Sequence, residues 1–261
     1  MRRRRLFPNA EDFPEALRPL IKSYPVYGSS SSKAAQVWLL DGGGGFYLKS
    51  AAVGTLETEA DMTRYFHGLG LGAEVLAYLS GEQDWLLTRR IPGEDCIFPD
   101  YLAEPKQLCD TLASLLRQLH ETPFPGCPVM DRCAVYRARA ERNHLAGHYD
   151  PALFPDSWGF SSAEAAWQVV QANGKFLKSD TLLHGDYCLP NIILHNWRFS
   201  GFVDLDSSGV GDRHIDLFWG VWTLFFNLKT NAYYDRFLDA YGRDQVEPEL
   251  LRTVAAFETF L

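Results

Sequence analysis

The chain has no apolar run approaching the ~18–20 residues that a membrane-spanning helix needs. The patch Phe218-Trp219-Gly220-Val221-Trp222-Thr223-Leu224-Phe225-Phe226 is far too short and reads as a buried helix. Met1-Arg2-Arg3-Arg4-Arg5 has the charge of a secretion signal but not its apolar segment, because Leu6-Phe7-Pro8-Asn9-Ala10-Glu11 breaks off too soon. A solvated basic start is the expectation. Cysteine is scarce and unpatterned. The five, at 96, 109, 127, 133 and 188, form no Cys-x-x-Cys pair and leave an odd count. That argues against structural zinc and a disulfide framework, and it fits a reducing cytoplasm. Positive charge is in deficit: the formal net charge of −8 speaks against nucleic acid as a partner and is compatible with attraction of a cationic small molecule. Internal repeats are absent, and low complexity is confined to serine and glycine turns.

What is present suits a folded two-lobed chain, since 46% hydrophobic and 14% aromatic residues over 261 positions supply a substantial core. Apolar spacing predicts a short helix over 11–23, then strands at 24–27, 35–40 and 46–49, with Asp41-Gly42-Gly43-Gly44-Gly45 as a tight turn. These three strands read as an antiparallel meander, and a helix over 55–67 with strands near 73–78 and 85–88 completes an expected five-stranded sheet. Arg90-Ile91-Pro92-Gly93 reads as a connector. Helical patterns follow at 106–120, 132–148 and 163–172. A small hairpin comes next, with its turn at 196–200, and the chain is again helical from 212 onward, with a last helix from Glu247. The expected class is α+β, with residues 1–90 as a small sheet-bearing lobe and 91–261 as a larger, mainly helical one.

The most informative stretch is Leu183-His184-Gly185-Asp186-Tyr187-Cys188-Leu189-Pro190-Asn191, followed by Val203-Asp204-Leu205. Phosphoryl transfer needs a group that receives or orients the attacking hydroxyl, plus oxygen ligands that hold Mg²⁺ against the phosphates. Asp186 suits the first task. Asn191 and Asp204 suit the second, because Mg²⁺ prefers hard oxygen donors. Lys49 closes a strand, and Glu59 lies ten residues on, sharing a helix face with Leu56 and Met62. That places Glu59 inward, where an ion pair with Lys49 is expected.

Lys49, Glu59, His184-Gly185-Asp186, Asn191 and Asp204 together resemble the aminoglycoside phosphotransferases, within the protein-kinase-like fold. Cys188-Leu189-Pro190-Asn191, Phe199-Ser200-Gly201-Phe202-Val203-Asp204 and Gly209-Val210-Gly211-Asp212-Arg213 are similar to segments of the 3′-phosphotransferase branch. The resemblance is strong over 181–220 and moderate over 45–65. It implies a bilobal enzyme that uses ATP (or GTP) with Mg²⁺ to phosphorylate a hydroxyl of a cationic acceptor. An aminoglycoside at its 3′-hydroxyl is implied first, which would give antibiotic resistance. Another sugar, a choline-like alcohol or an unknown metabolite is the alternative. It further implies that Lys49 contacts the α- and β-phosphates and that the loop holding Ser31 and Ser32 closes over them. Arg90 and Ile91 of the connector would read the nucleobase, and Asp216 would anchor the catalytic loop. A nucleotide-binding module without turnover fits less well, because Lys49, Asp186, Asn191 and Asp204 are all retained.

Two segments depart from the family pattern. Asp204-Leu205-Asp206-Ser207 stands where the family has Asp-x-Gly-Arg, which adds a carboxylate and removes a fork of donors. Phe257-Glu258-Thr259-Phe260-Leu261 stands where the family has Asp-Glu-Phe-Phe. Glu258 keeps one acid, and with Asp150 and Asp156 it is a candidate for binding the acceptor's ammonium groups.

Overall fold

A computed structural model of the protein describes residues 4–29, 34–153 and 158–261. Two compact units form, one of Met1–Gly93 with Ser200–Asp206 and the other of Glu94–Phe199 with Ser207–Leu261.

The first unit is built on six antiparallel strands: β1 (Arg5–Leu6), β2 (Val26–Gly28), β3 (Ala35–Leu40), β4 (Phe46–Ala51), β5 (Val75–Ser80) and β6 (Asp84–Arg89). Their order across the sheet is β1-β2-β3-β4-β6-β5. One expectation is corrected here. The sheet has six strands rather than five, because Arg5 and Leu6 pair with Tyr27 and Val26, while the Arg4 and Arg5 side chains stay exposed. β2, β3 and β4 form the expected meander. After β4 the chain runs through α2 (Glu57–Gly68) to the edge strand β5, and β6 then inserts beside β4. The turn from β3 to β4 holds Gly43, Gly44 and Gly45 at φ 61, 93 and 87, which a side chain would resist.

The expected helix over 11–23 is broken into 3₁₀ turns at Ala10–Asp12 and Glu15–Leu17 and a short α1 (Arg18–Ser23). Pro14 is the cause, since proline cannot occupy a helix interior without losing a backbone hydrogen bond. These turns bring Phe13 against Trp38 at 5.5 Å and Trp85 at 5.3 Å, closing one side of the sheet. On α2, Ala60 and Leu56 cluster with Ala51 and Leu86 of β4 and β6.

The second unit pairs β7 (Glu94–Asp95) with β9 (Ile192–His195), and β8 (Thr181–Leu183) with β11 (Gly209–Gly211). β10 (Arg198–Phe202) follows β9 through Asn196 and Trp197 alone, at φ 52 and 64, so the turn is shorter than the 196–200 expected. Positive φ at both residues is what a two-residue hairpin turn requires. The helices are α3 (Pro99–Leu102), α4 (Pro105–His120), α5 (Arg132–Leu145), α6 (Ala163–Asn173), α7 (His214–Leu228), α8 (Tyr234–Tyr241) and α9 (Pro248–Glu258). Leu108, Leu112, Leu116 and Leu119 form the buried stripe of α4, each contributing about 1.5–3 kcal/mol by leaving water. The apolar patch at 218–226 lies within α7, yet it is not wholly buried, since Phe225 and Phe226 are 44% and 50% exposed. Among the described residues no helix is long and apolar enough to cross a membrane.

Candidate functional site

Lys49 projects from the middle of the sheet, on β4 between Val37 of β3 and Leu86 of β6. Its ammonium donates to both oxygens of Glu59, at 3.0 and 2.8 Å, and to Oδ1 of Asp204 at 2.8 Å. Glu59 is held there because α2 is fixed at its N-terminus. Leu56 caps the helix without a capping side chain, and Asp84 of β6 accepts its N–H at 3.0 Å instead. The same buried carboxylate accepts the Ser80 and Tyr78 hydroxyls at 2.7 and 3.1 Å, so one acid ties two strands to the helix.

Asp204 is delivered by the 200–206 return. Phe202 donates its N–H to the Leu71 carbonyl at 2.8 Å, forms a parallel bridge with Gly72 and rests edge-on against Phe66 at 6.3 Å. Asp204 itself lies in the left-handed region at φ 57. A non-glycine residue held there costs about 1–3 kcal/mol, a strain typical of functional positions. Burial alone would push the Lys49 ammonium down, but the Asp204 and Glu59 carboxylates outweigh it and hold the group above its ordinary range. Glu59 is pushed up to about 7, by burial first and then by Asp204 and Asp206 against the pull of Lys49. One ammonium thus faces two carboxylates, with exposed Asp206 adding to the excess negative charge.

In the connector, the N–H of Arg90 is spent on the Gly45 carbonyl at 3.0 Å. Among the described residues no hydrogen bond engages the backbone of Ile91, whose amide and carbonyl therefore remain available. Ser31 and Ser32 lie outside the described residues.

In the second unit the loop that carries Asp186 is pinned by Asp216, which is fully buried on α7. Its Oδ2 accepts the N–H of His184 at 2.8 Å and its Oδ1 the N–H of Gly185 at 2.7 Å. Oδ2 also meets His120 Nε2 at 3.1 Å, while His120 Nδ1 lies 2.8 Å from the Tyr241 hydroxyl. Burial pushes His120 down against the pull of Asp216, so the ring is neutral. A carboxylate can only accept, so Nε2–H donates to Asp216 and Nδ1 accepts from Tyr241. His184 braces the loop, its Nδ1 accepting the N–H of Asp186 at 3.3 Å. Gly185 must be glycine: its φ is 84, and a Cβ would collide with the Ser207 carbonyl, which Arg132 Nε holds at 2.7 Å.

Asp186 emerges half-buried from this loop. Asn191 donates through Nδ2 to its carbonyl at 3.0 Å and to its Oδ2 at 2.9 Å. That fixes the carboxylate and, among the described residues, leaves Oδ1 of Asn191 without a protein donor. The Cys188 thiol is pushed well above its ordinary range by burial and by the Asp186 carboxylate beside it, so it is no nucleophile.

The acceptor candidates divide. Asp156 lies outside the described residues. Asp150 is exposed, its N–H donating to the Thr259 carbonyl at 2.9 Å and its Oδ1 accepting from Ala152 at 2.8 Å. Glu258 is only 5% exposed. Its Oε1 accepts the Tyr136 hydroxyl at 2.7 Å and Trp219 Nε1 at 3.0 Å. The first unit therefore brings together Lys49, Glu59 and Asp204, and the second brings together Asp186 and Asn191. Tyr136, Trp219, His120 and Asp84 were not anticipated from sequence, because each acts on a partner remote in the chain.

The phosphotransferase enzyme family matches residues 29–254. A probable aminoglycoside 3′-phosphotransferase of Lactococcus lactis is 49% identical over 253 residues, covering 97% of this chain and 96% of that protein. The crystal structure of an aminoglycoside-3′-phosphotransferase of type VIII matches with a TM-score of 0.73 and 25% identity, over 97% of this chain and 100% of that one. A Streptomyces rimosus aminoglycoside phosphotransferase in complex with ADP and streptomycin shares the fold, with a TM-score of 0.65 and 21% identity over 87% and 91% of the two chains.

Proposed function

The chain belongs to the aminoglycoside 3′-phosphotransferase family, and from that membership we propose that it moves the γ-phosphoryl group of ATP to an aminoglycoside hydroxyl, the 3′-hydroxyl, and so confers resistance. The observation that carries this reading is the Lys49 ammonium gripped by Glu59 and Asp204, a fixed cation on a sheet, as a phosphate-binding lysine has to be. Lys49 contacts the α- and β-phosphates, and the open backbone of Ile91, next to Arg90, reads the nucleobase edge.

Asp186 receives the proton as the acceptor oxygen bonds to phosphorus and the bond to the ADP oxygen breaks, so that phosphorylated acceptor and ADP leave. Asn191 keeps the Asp186 carboxylate aimed by occupying its Oδ2. Asn191 through its free Oδ1 and Asp204 through its carboxylate are the residues that would hold Mg²⁺. Both are hard oxygen donors, and the unbalanced charge around Asp204 suits a divalent cation. Mg²⁺ usually takes only one or two protein carboxylates and finds its other ligands in water and phosphate. When bound it supplies neutralisation of charge on the transferring group. Glu258 and Asp150 remain the acceptor-side acids, with Asp156 alongside them in sequence.

An ADP-release assay coupled to NADH oxidation tests the reading. Kanamycin A, which has a 3′-hydroxyl, should stimulate turnover, and tobramycin, which lacks it, should not. Equal stimulation by both removes the positional assignment. Stimulation by neither removes the aminoglycoside and leaves another small-molecule hydroxyl as acceptor.

A further inference from the structure

The outer face of α7 carries an aromatic ladder that the chemistry above does not use. Trp219, Trp222 and Phe226 recur at three- and four-residue steps, which places them along one side of the helix. Trp219 meets Trp222 at 5.3 Å with planes 80° apart, and Trp222 stacks on Phe226 at 4.9 Å and 11°. The Lys229 ammonium caps the far end, 4.2 Å from the Phe226 ring. Phe226 is exposed and Trp219 and Trp222 are half-buried, and contiguous aromatic surface that water still reaches marks an interaction site.

The other end of the ladder leads to the catalytic loop. Thr223, on the same helical turn as Trp219 and Trp222, accepts the N–H of Leu189 at 3.1 Å, three residues beyond Asp186. Trp219 donates to Oε1 of Glu258, which also takes the Tyr136 hydroxyl. Both bonds fall on Oε1. Among the described residues no buried side-chain oxygen lacks a partner, so Oε2 keeps contact with solvent. Asp186 is close enough for its charge to raise the proton affinity of Glu258. A nearly buried carboxyl that keeps one oxygen at the solvent edge beside aromatic rings, with a second carboxylate nearby, is a setting for an ammonium on an otherwise apolar ring face. The acidic balance of the chain points the same way.

We propose that Trp219 and Trp222 form an aromatic wall of the acceptor site, which receives an ammonium-bearing saccharide ring and sets its ammonium against Oε2 of Glu258. The proposal rests on the phosphotransferase reading and deepens it by naming what selects the acceptor. Trp219 and Trp222 act on binding, so their loss separates acceptor from nucleotide.

The test compares Trp222→Ala, Trp222→Phe and the wild type. Trp222→Ala should raise the KM for kanamycin A about 10-fold, the scale of one desolvated cation–π contact, and leave the KM for ATP unchanged. Trp222→Phe should recover most of that loss. Titration of kanamycin A without nucleotide should quench tryptophan fluorescence in the wild type, with the midpoint moved about 10-fold in Trp222→Ala. An unchanged acceptor KM overturns the proposal, as does an equal rise in both KM values. So does a dimer by sedimentation that Trp222→Ala dissociates with acceptor KM intact, because the ladder then covers a second copy. A wild type that releases no ADP with kanamycin A refutes the functional reading alone. In that case the fluorescence titration still decides the wall, a quench that Trp222→Ala weakens supporting it and no quench overturning it.

Discussion

Replacing Glu258 with glutamine should make the protein more resistant to unfolding as pH rises. The Glu258 carboxyl is pushed up from 4.5 to about 7, by burial first, with the Tyr136 and Trp219 hydrogen bonds opposing and the Asp186 charge adding to the rise. A folded state that holds this proton more tightly than the unfolded chain gains stability from it. That gain is complete below 4.5 and is lost as pH climbs through about 7. A gap of this size corresponds to about 3 kcal/mol, by the rule that one pH unit is about 1.4 kcal/mol. Glutamine keeps an oxygen for Tyr136 and Trp219 but does not titrate. The stability difference, variant minus wild type, should therefore grow by about 3 kcal/mol between pH 4.5 and pH 8, or roughly 6–10 °C in melting midpoint for a chain of this size. Taking the difference matters, because Glu59 is also pushed up to about 7 and bends the wild-type curve in the same window. Thermal or urea unfolding at matched pH values measures it. Curves for the two proteins that stay parallel, within about 0.5 kcal/mol across that range, would refute the placement of Glu258 as a buried acid.

Two further substitutions address the chemistry. Asp186→Ala should lower kcat by about 10²–10⁴-fold, the scale of a positioned general base, while calorimetry finds ATP affinity within about threefold of wild type. Normal turnover would remove Asp186 from its role. Asp204→Ala should shift the Mg²⁺ concentration needed for half-maximal nucleotide binding upward by about 10-fold or more, and an unmoved Mg²⁺ titration would refute its assignment as a metal ligand.

Features carried by a short stretch of chain were readable before any coordinates. β3 appears over the residues expected, Ala35–Leu40, because its alternation is bounded by turn residues on both sides. Lys49 and Glu59 were paired because helical periodicity turned Glu59 inward, and the ion pair is present. Asp186 and Asn191 are five residues apart and bond directly. What failed to show was long-range. The insertion of β6 between β4 and β5 leaves no mark on periodicity, which reports the face a residue takes and not the strand that lies beside it. The Tyr136 and Trp219 partners of Glu258 lie 122 and 39 residues from it, and neither looks polar-functional in its own helix. His120 reads as the end of a leucine stripe, although it is bonded to Asp216 across 96 residues. The second carboxylate on Lys49 was likewise hidden, because Asp204 reaches it across 155 residues through a return that joins the first unit.

That hidden carboxylate explains how an ion pair can serve phosphoryl transfer. Glu59 alone would neutralise Lys49 and leave the ammonium little reason to attract a triphosphate. With Asp204 also bonded to Nζ, the ammonium is shared between a buried acid and one that is half exposed. Glu59 is the fixed partner, because α2 is anchored through Asp84 and its carboxylate contacts are both to Lys49. Asp204 is the exchangeable one, exposed and held in a strained backbone conformation. Drawing Asp204 away toward a divalent cation would free one hydrogen-bond direction of Lys49 for phosphate oxygen while Glu59 still fixes its position. The extra acid at Asp206 adds negative charge on the same side and favours that exchange. The residue that departs from the family pattern would thus act on the metal's side of the balance.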